Sequence, residues 1–382
     1  MELLARYLER TDRTIYALIR ARDDREADDR LRAAARNVVG DPDRHAGRLV
    51  AVRGDVTLPD LGIDPERRER LAEEVTDILH SAASVSFSLP LDRARAINLH
   101  GTRRMLELAE LCAERGGLHR FAHVSTAYVA GTHRGPFYES DLDRRQRFNN
   151  SYELSKWEAE KLVRDRSGKL PTTIFRPSIV VGETESGWTP AFNVVYGPLR
   201  AYSRGSLTAV PGRRSAPADV VPVDYVADAI VELSARPDAL GRTYALAAGP
   251  EASSIGELID MSAAAFDRRR ALALRPSLYR RFVHPLLISR SSQSRQRVLR
   301  RAEVYFPYFD VRAQFDTSAA TDALAPAGIR VPPLEGYFHS LVRFAEAAEW
   351  GRRPLTRVQA RAAVEELEPI EAPGRQLEPV SA

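Results

Sequence analysis

Between residues 14 and 181 short, β-branched apolar runs alternate with longer segments of helical periodicity, which restricts the chain to a parallel sheet covered by helices. The runs at 14–19, 49–52, 77–80, 120–125 and 172–176 read as strands, and 25–36, 67–74, 96–112 and 152–165 read as helices. Within 96–112, Leu99, Thr102, Leu106 and Ala109 recur at helical spacing and mark one packed face. The fold class expected is α/β, doubly wound.

After Gly182 the alternation stops, and Pro, Gly and Arg become frequent. The expected organisation is a first lobe at 1–181, to which the strand and helix pattern of 220–235 returns. A smaller C-terminal lobe is expected from 182–219 and 236–352, with a further strand and helix unit at 243–246 and 255–265. The segment 353–382 mixes Pro, Glu and Arg with little periodicity and reads as a frayed helix followed by a disordered tail.

The single cysteine, Cys112, excludes an intramolecular disulfide and a cysteine-rich metal site, so no metal is expected and a reducing compartment fits. The first residues carry charge where a signal peptide would be apolar, and no apolar stretch reaches the roughly 18 residues of a spanning helix. A cytoplasmic protein, peripheral to the membrane at most, is the expectation. The pI of 9.2 reflects a net charge of only +4, with acidic residues interspersed, which argues against nucleic acid as a partner. The exception is a basic run at 275–301. Lysine is reduced to Lys156, Lys161 and Lys169, so each retained lysine is informative.

Tyr152 and Lys156 stand four apart at the start of a predicted helix and therefore share a face. Carbonyl reduction needs such a pair: a phenol can protonate the oxygen on which charge develops, and a nearby ammonium would draw the phenol's pKa towards neutrality. The run FAHVSTAYVAG at 121–131 is an apolar strand ending in Ser125 and Thr126, where a hydroxyl would emerge at the sheet's carboxyl edge.

In this order and spacing the residues resemble the extended short-chain dehydrogenase/reductase superfamily. The resemblance implies a Rossmann-like sheet and a catalytic Thr126, Tyr152 and Lys156, with Ser125 the runner-up for the hydroxyl. It also implies a cofactor set: Asp55 and Val56 at the adenine, Ser81, Ala82 and Ala83 in the loop after His80, Asn98 with Gly101 and Thr102 on the next helix, and Ser125, Tyr152 and Lys156. Pro177, Ser178 and Ile179 complete it, following Arg176 at a turn towards substrate. At the end of the 14–19 strand stand Arg20 and Arg22, whose guanidinium groups suit a 2'-phosphate, so NADP is expected over NAD.

One element of that superfamily is not in the sequence, the strand and Gly-x-x-Gly-x-x-Gly turn that should open the fold. Met1 enters directly into a helix with Leu3, Leu4, Tyr7 and Leu8 at i, i+3 and i+4 spacing. The expectation is a start codon placed too late, with the strand and turn encoded upstream in frame. The chain as it stands should then bind dinucleotide poorly; a non-enzymatic remnant that binds nucleotide or serves as a scaffold is the alternative.

For the substrate, Gly187-Trp188, Gly197-Pro198, Gly205 and the VPVDYV run at 221–226 fall in the order of fatty acyl-CoA reductases and thioester reductase domains. The run at 17–35 resembles that group's first cofactor-proximal loop and helix, and the motifs near Tyr305 and Phe315 match more loosely. The resemblance implies NADPH-dependent reduction of an acyl-CoA or an acyl group on a carrier protein, to aldehyde or alcohol. A sugar-nucleotide epimerase or sterol-type dehydrogenase is the alternative enzyme; for a dehydratase, the Asp-Glu that should follow Thr126 is replaced by Ala127-Tyr128. In 275–309 arginines interleave with Leu278, Phe282, Leu286 and Leu287, which fits either a helix bracing the second lobe or a surface for acyl carriers or anionic membrane.

Overall fold

The computed structural model describes residues 1–192 and 194–365. Four parallel strands form the central sheet: β3 (Asp77–His80), β4 (Arg120–Val124), β5 (Thr172–Pro177) and β6 (Thr243–Leu246), in the order β6-β5-β4-β3. A separate parallel pair is made by β1 (Ile15–Ile19) and β2 (Leu49–Arg53), with Ile15 opposite Leu49. Both sheets contribute to one core, where Tyr16 and Leu18 pack with Ile78, Leu106 and Phe121. Arg13 on the β1 side reaches Asp77 of β3 at 2.7 Å. No ladder joins β1 to β3 among the described residues; in a doubly wound sheet this is where the expected opening strand would stand.

Local signals set the helices. Asp23, Asp64 and Asn150 each accept a backbone N–H with the side chain, opening α2 (Asp24–Val39), α3 (Pro65–Glu74) and α5 (Ser151–Arg164). Pro65 presets the first turn of α3, where a missing N–H costs nothing. The long α4 (Leu91–Arg115) starts earlier than its periodicity indicates and packs along α5. Leu106, Ala109 and Cys112 of α4 cover Phe121 and Ile174 on one sheet face. On the other, Val226, Ile230 and Leu233 of α6 (Val223–Ala235) cover Phe175, Tyr244 and Leu246. With both faces buried, the strands read as continuous apolar runs.

The N-terminal helix α1 (Glu2–Arg10) lies against α6 and α2, but its buried face is not the leucine stripe alone. Ala5 and Leu8 are buried with Glu2 and Arg6, and Arg6 meets Asp228 of α6 at 2.8 Å. Thr243–Leu246, read from sequence as part of the second lobe, joins the central sheet beside β5, since its four residues are apolar enough to be covered on both sides. The frayed helix expected in the tail is a docked one, Arg357–Glu365, whose Arg357 is buried against Glu183 at 2.6 Å and Glu2 at 3.1 Å. The remainder of that tail, 366–382, lies outside the described residues.

Tyr196, Leu199, Tyr337, Phe338 and Leu341, from the segments expected to form a second lobe, share a core with Val181 and Val220. Gly187 has φ +67°, and a Cβ there would stand 2.1 Å from the Ser340 carbonyl oxygen, so the turn admits only glycine. This close approach seats Trp188, fully buried, with its indole N–H on the Leu355 carbonyl at 3.0 Å. Gly187 and Trp188 are therefore lobe anchors.

Candidate active site

The ends of β4 and β5 meet at Thr126. Its backbone is extended, which ends the strand and starts a short 3-10 turn, and its hydroxyl donates to the Pro177 carbonyl at 3.4 Å while accepting from Tyr128 N–H. Asn150 caps α5 and so sets Tyr152 and Lys156 on the turn facing that strand end. The Lys156 ammonium donates to the Val124 carbonyl at 2.8 Å, two residues before Thr126. Burial lowers its pKa to about 8, against an opposing influence from Glu160.

Tyr152 keeps part of its surface open, yet the protein packed around its hydroxyl raises the pKa to about 12, with the hydrogen bond to Thr126 pulling the other way. The expected drift of this phenol towards neutrality is thus overturned. Desolvation of the phenolate is the dominant cause, and Lys156 turns one of its three N–H donors to a main-chain oxygen. At neutral pH the hydroxyl is a proton donor.

Ser125 points elsewhere. Its hydroxyl donates at 2.6 Å to Glu160, a fully buried carboxylate that also receives Arg176 at 2.7 Å and Arg164 at 3.0 Å. Neither the runner-up role nor a cofactor contact suits a hydroxyl engaged this way. Arg176, read as a turn towards substrate, points into the same buried network, where Glu160 compensates its charge.

Asn98, on α4 like Gly101, holds the loop after β3 to α5. Its side chain accepts from Ser84 N–H at 2.8 Å, and donates to the Ser84 carbonyl at 3.1 Å and to the Ser155 hydroxyl at 2.9 Å. Its amide is satisfied by protein, so it positions the loop carrying Ser81, Ala82 and Ala83; of these, Ser81 and Ala82 are exposed. Val56 packs on Gly101 of the same helix, where a Cβ would come within 3.1 Å of it. The ends of β2 and β3 therefore converge on α4. Asp55 accepts from Thr57 N–H and hydroxyl at 2.8 and 2.7 Å, fixing the turn after β2. Arg20 and Arg22 are exposed at the end of β1, and Arg22 is paired with Glu26 at 2.9 Å. Ser178 is buried, and Ile179 lines a neighbouring cleft.

That cleft has room for about 70 Å³ of water-sized centres and opens to solvent, and its walls are apolar: Ile179, Leu199, Val210, Ile259, Tyr305 and Phe309 among them. An aromatic chain leads from it to the site. Tyr128 and Tyr308 line the cleft, Tyr308 stacks on Phe87 at 4.8 Å, and Phe87 lies 5.6 Å from Tyr152. Tyr308 donates to Glu153 at 2.6 Å and accepts from Asn150 at 2.8 Å, which ties the cleft wall to the first turn of α5. Sequence reasoning missed Phe87, Glu153 and Tyr308. Only the aromatic motif around Tyr305 signalled this wall.

Two buried histidines complete the surroundings. His80 and His123 face each other at 5.5 Å beside Lys156, and burial lowers the pKa of both, that of His80 to about 3, so they are neutral.

The sequence profile of the family described as male sterility protein matches residues 1–230. The fatty acyl-CoA reductase wat of Drosophila melanogaster is 30% identical over 257 residues, 57% of this chain and 48% of that protein. The non-canonical nonribosomal peptide synthetase FrzA of a Cladobotryum species is 30% identical over 283 residues, 71% of this chain and 27% of that protein. The chain thus spans about half the length, or less, of the curated relatives it matches. Among solved structures, the terminal R domain from the myxalamid PKS-NRPS biosynthetic pathway superposes with a TM-score of 0.78 at 30% identity, covering 92% of this chain and 89% of that one. The reductase domain of a nonribosomal peptide synthetase from Mycobacterium tuberculosis gives 0.71 at 22% identity, covering 92% and 89%, a likeness of fold.

Proposed function

From the chain's membership of the male sterility protein family, we propose that it reduces an acyl thioester at the expense of NADPH, using Thr126, Tyr152 and Lys156. The observation that carries this reading is the apolar cleft connected to Tyr152 through Phe87, Tyr128 and Tyr308. A hydrocarbon chain suits such walls; a sugar, with hydroxyls to satisfy, does not. The fatty acyl-CoA reductase and R-domain relatives support the same class of substrate.

Apart from the glycine-rich turn, the residues fit a nicotinamide dinucleotide. The half-buried Asp55, the small Ala82 and Ala83, the Lys156 ammonium and the exposed Arg20 and Arg22 stand at strand ends, where such ligands bind in doubly wound sheets. Among them Arg20 and Arg22 would meet a 2'-phosphate, Arg22 exchanging its exposed pairing with Glu26 for it. When bound, the cofactor supplies the hydride. Tyr152 holds the thioester oxygen and donates its proton as charge develops there, which a phenol of pKa about 12 can do at neutral pH. Thr126 shares the hydrogen bond and fixes the phenol's direction. The Lys156 ammonium, held against Val124, adds positive charge behind the oxygen and a donor for the ribose. Loss of the thiol then leaves an aldehyde.

The test is NADPH oxidation by the full chain with long-chain acyl-CoA, short-chain acyl-CoA and UDP-sugars. Turnover should favour the long chain, and one or two NADPH per thioester separates aldehyde from alcohol. Turnover with UDP-sugars alone would overturn the reading.

A further inference from the structure

Residues 275–302 contain eight arginines and no aspartate or glutamate. All eight, Arg275, Arg280, Arg281, Arg290, Arg295, Arg297, Arg300 and Arg301, are exposed, and none forms an ion pair among the described residues. The helical run at 276–289 has two apolar faces. The inner one is satisfied: Tyr279 and Phe306 are buried with Val283 and Leu287 against them, and Phe306 meets the rings of Tyr279 and His284 edge-on at 5.4 and 4.9 Å. The outer one is not. Leu278, Phe282 and Leu286, at successive intervals of four, are exposed by 48%, 59% and 48%. A π-helical turn over Tyr279–Val283 lies within this run.

From this we propose that 276–301 is a peripheral membrane contact that inserts Leu278, Phe282 and Leu286 among the acyl chains of an anionic lipid surface, with the arginines at the headgroups. An outward ridge of large apolar side chains flanked by guanidinium groups has the composition of an interfacial helix. Phosphate-bearing headgroups supply the charge that the chain itself does not. An acidic carrier protein would also answer the arginines, but it gives no account of three half-exposed apolar side chains in a row. No described helix is long and apolar enough to cross a membrane, so the contact is superficial. The arrangement also serves the cleft. Tyr305, Tyr308 and Phe309, which line it, continue the same segment, and Phe306 between them docks onto the ridge's inner face.

The experiment is cosedimentation of the full chain with phosphatidylcholine vesicles, with and without a third of phosphatidylserine, at low and high salt. Two variants accompany it: Phe282→Ser with Leu286→Ser, and Arg295, Arg297, Arg300 and Arg301 all to Gln. These side chains are exposed, so far-UV circular dichroism and melting should match the parent. The parent should sediment with the anionic vesicles at low salt and much less at high salt. Each arginine at the surface is worth about fivefold in partitioning, so the quadruple variant should bind at least ~10-fold more weakly, and the serine variant should also lose binding. Failure of the parent to bind anionic vesicles, undiminished binding by both variants, or capture of an acidic acyl carrier protein without vesicle binding would overturn the proposal. Sedimentation needs no turnover, so it stands or falls separately from the proposed reductase activity.

Discussion

Replacing Arg176 by Met should destabilise the protein by about 3 kcal/mol, because it strands a charge that nothing else in the interior can fully compensate. Glu160 has 0% side-chain exposure and Arg176 has 2%, with Nη2 and Oε1 2.7 Å apart. Breaking such a pair from one side costs about 3–5 kcal/mol. The lower end applies because Glu160 keeps the Ser125 hydroxyl at 2.6 Å and Arg164 at 3.0 Å. At a urea dependence of about 3 kcal/mol per M, the unfolding midpoint should fall by roughly 1 M. Adding Glu160→Leu removes the stranded carboxylate, so the double variant should recover most of the loss. The effect depends on pH with a definite sign. Burial pushes the Glu160 carboxyl up, but Arg176, Arg164 and Ser125 together hold it below its ordinary value of 4.5. The pair's contribution is therefore present above that value and lost as pH falls through the lower folded one, so the gap between parent and Arg176→Met should narrow in acid. A single variant within about 1 kcal/mol of the parent, or additive losses in the double variant, would show that the pair is not coupled in this way.

Tyr308→Phe removes the link between the cleft wall and Glu153; kcat with long-chain thioester should fall about tenfold while the cofactor Kd stays put, consistent with roughly 1–3 kcal/mol for a buried acceptor left short of a donor. Equal losses in kcat for short and long chains would leave only a structural role. Turnover should decline as pH rises above about 8, where Lys156 loses its proton, whereas Tyr152, at about 12, stays protonated across that range; a rate still climbing at high pH would contradict this. Over the same range the unfolded chain retains a lysine proton that the folded one has released, so this group's effect on stability becomes more favourable with rising pH. Exchanging Arg20 and Arg22 for Gln should raise the KM for NADPH by about 10- to 100-fold and leave that for NADH unchanged, as expected for charge-assisted hydrogen bonds of about 1.5–3 kcal/mol.

What was legible in the sequence was local. The five N-terminal strands lie within a residue or two of their β-branched runs, and α3 and α5 lie within two residues of the helical segments read at 67–74 and 152–165. That Tyr152, Lys156 and Thr126 would lie together was legible because one helix turn and one strand end are enough to bring them there. Contacts distant in sequence were not legible. Glu153 and Tyr308 are 155 positions apart, and nothing near either residue announces the other. The Ser125 hydroxyl could be told from that of Thr126 only once Glu160 was known to lie beside it. The phenol's acidity also depends on burial, which spacing does not reveal. Thr243–Leu246 read as one more short apolar run, and only its ladder with β5 shows that it belongs to the central sheet.

Whether Tyr152 donates the proton to a thioester oxygen is decided by Tyr152→Phe. The substitution deletes one hydroxyl beside Thr126 and leaves the ring against Phe87. Stopped-flow measurement of NADPH oxidation with long-chain acyl-CoA, paired with NADPH binding by fluorescence, separates the chemical step from cofactor affinity. The prediction is a fall in kcat of about 100-fold or more, the range for loss of a positioned acid, with the Kd for NADPH unchanged. Turnover within a few-fold of the parent would contradict it.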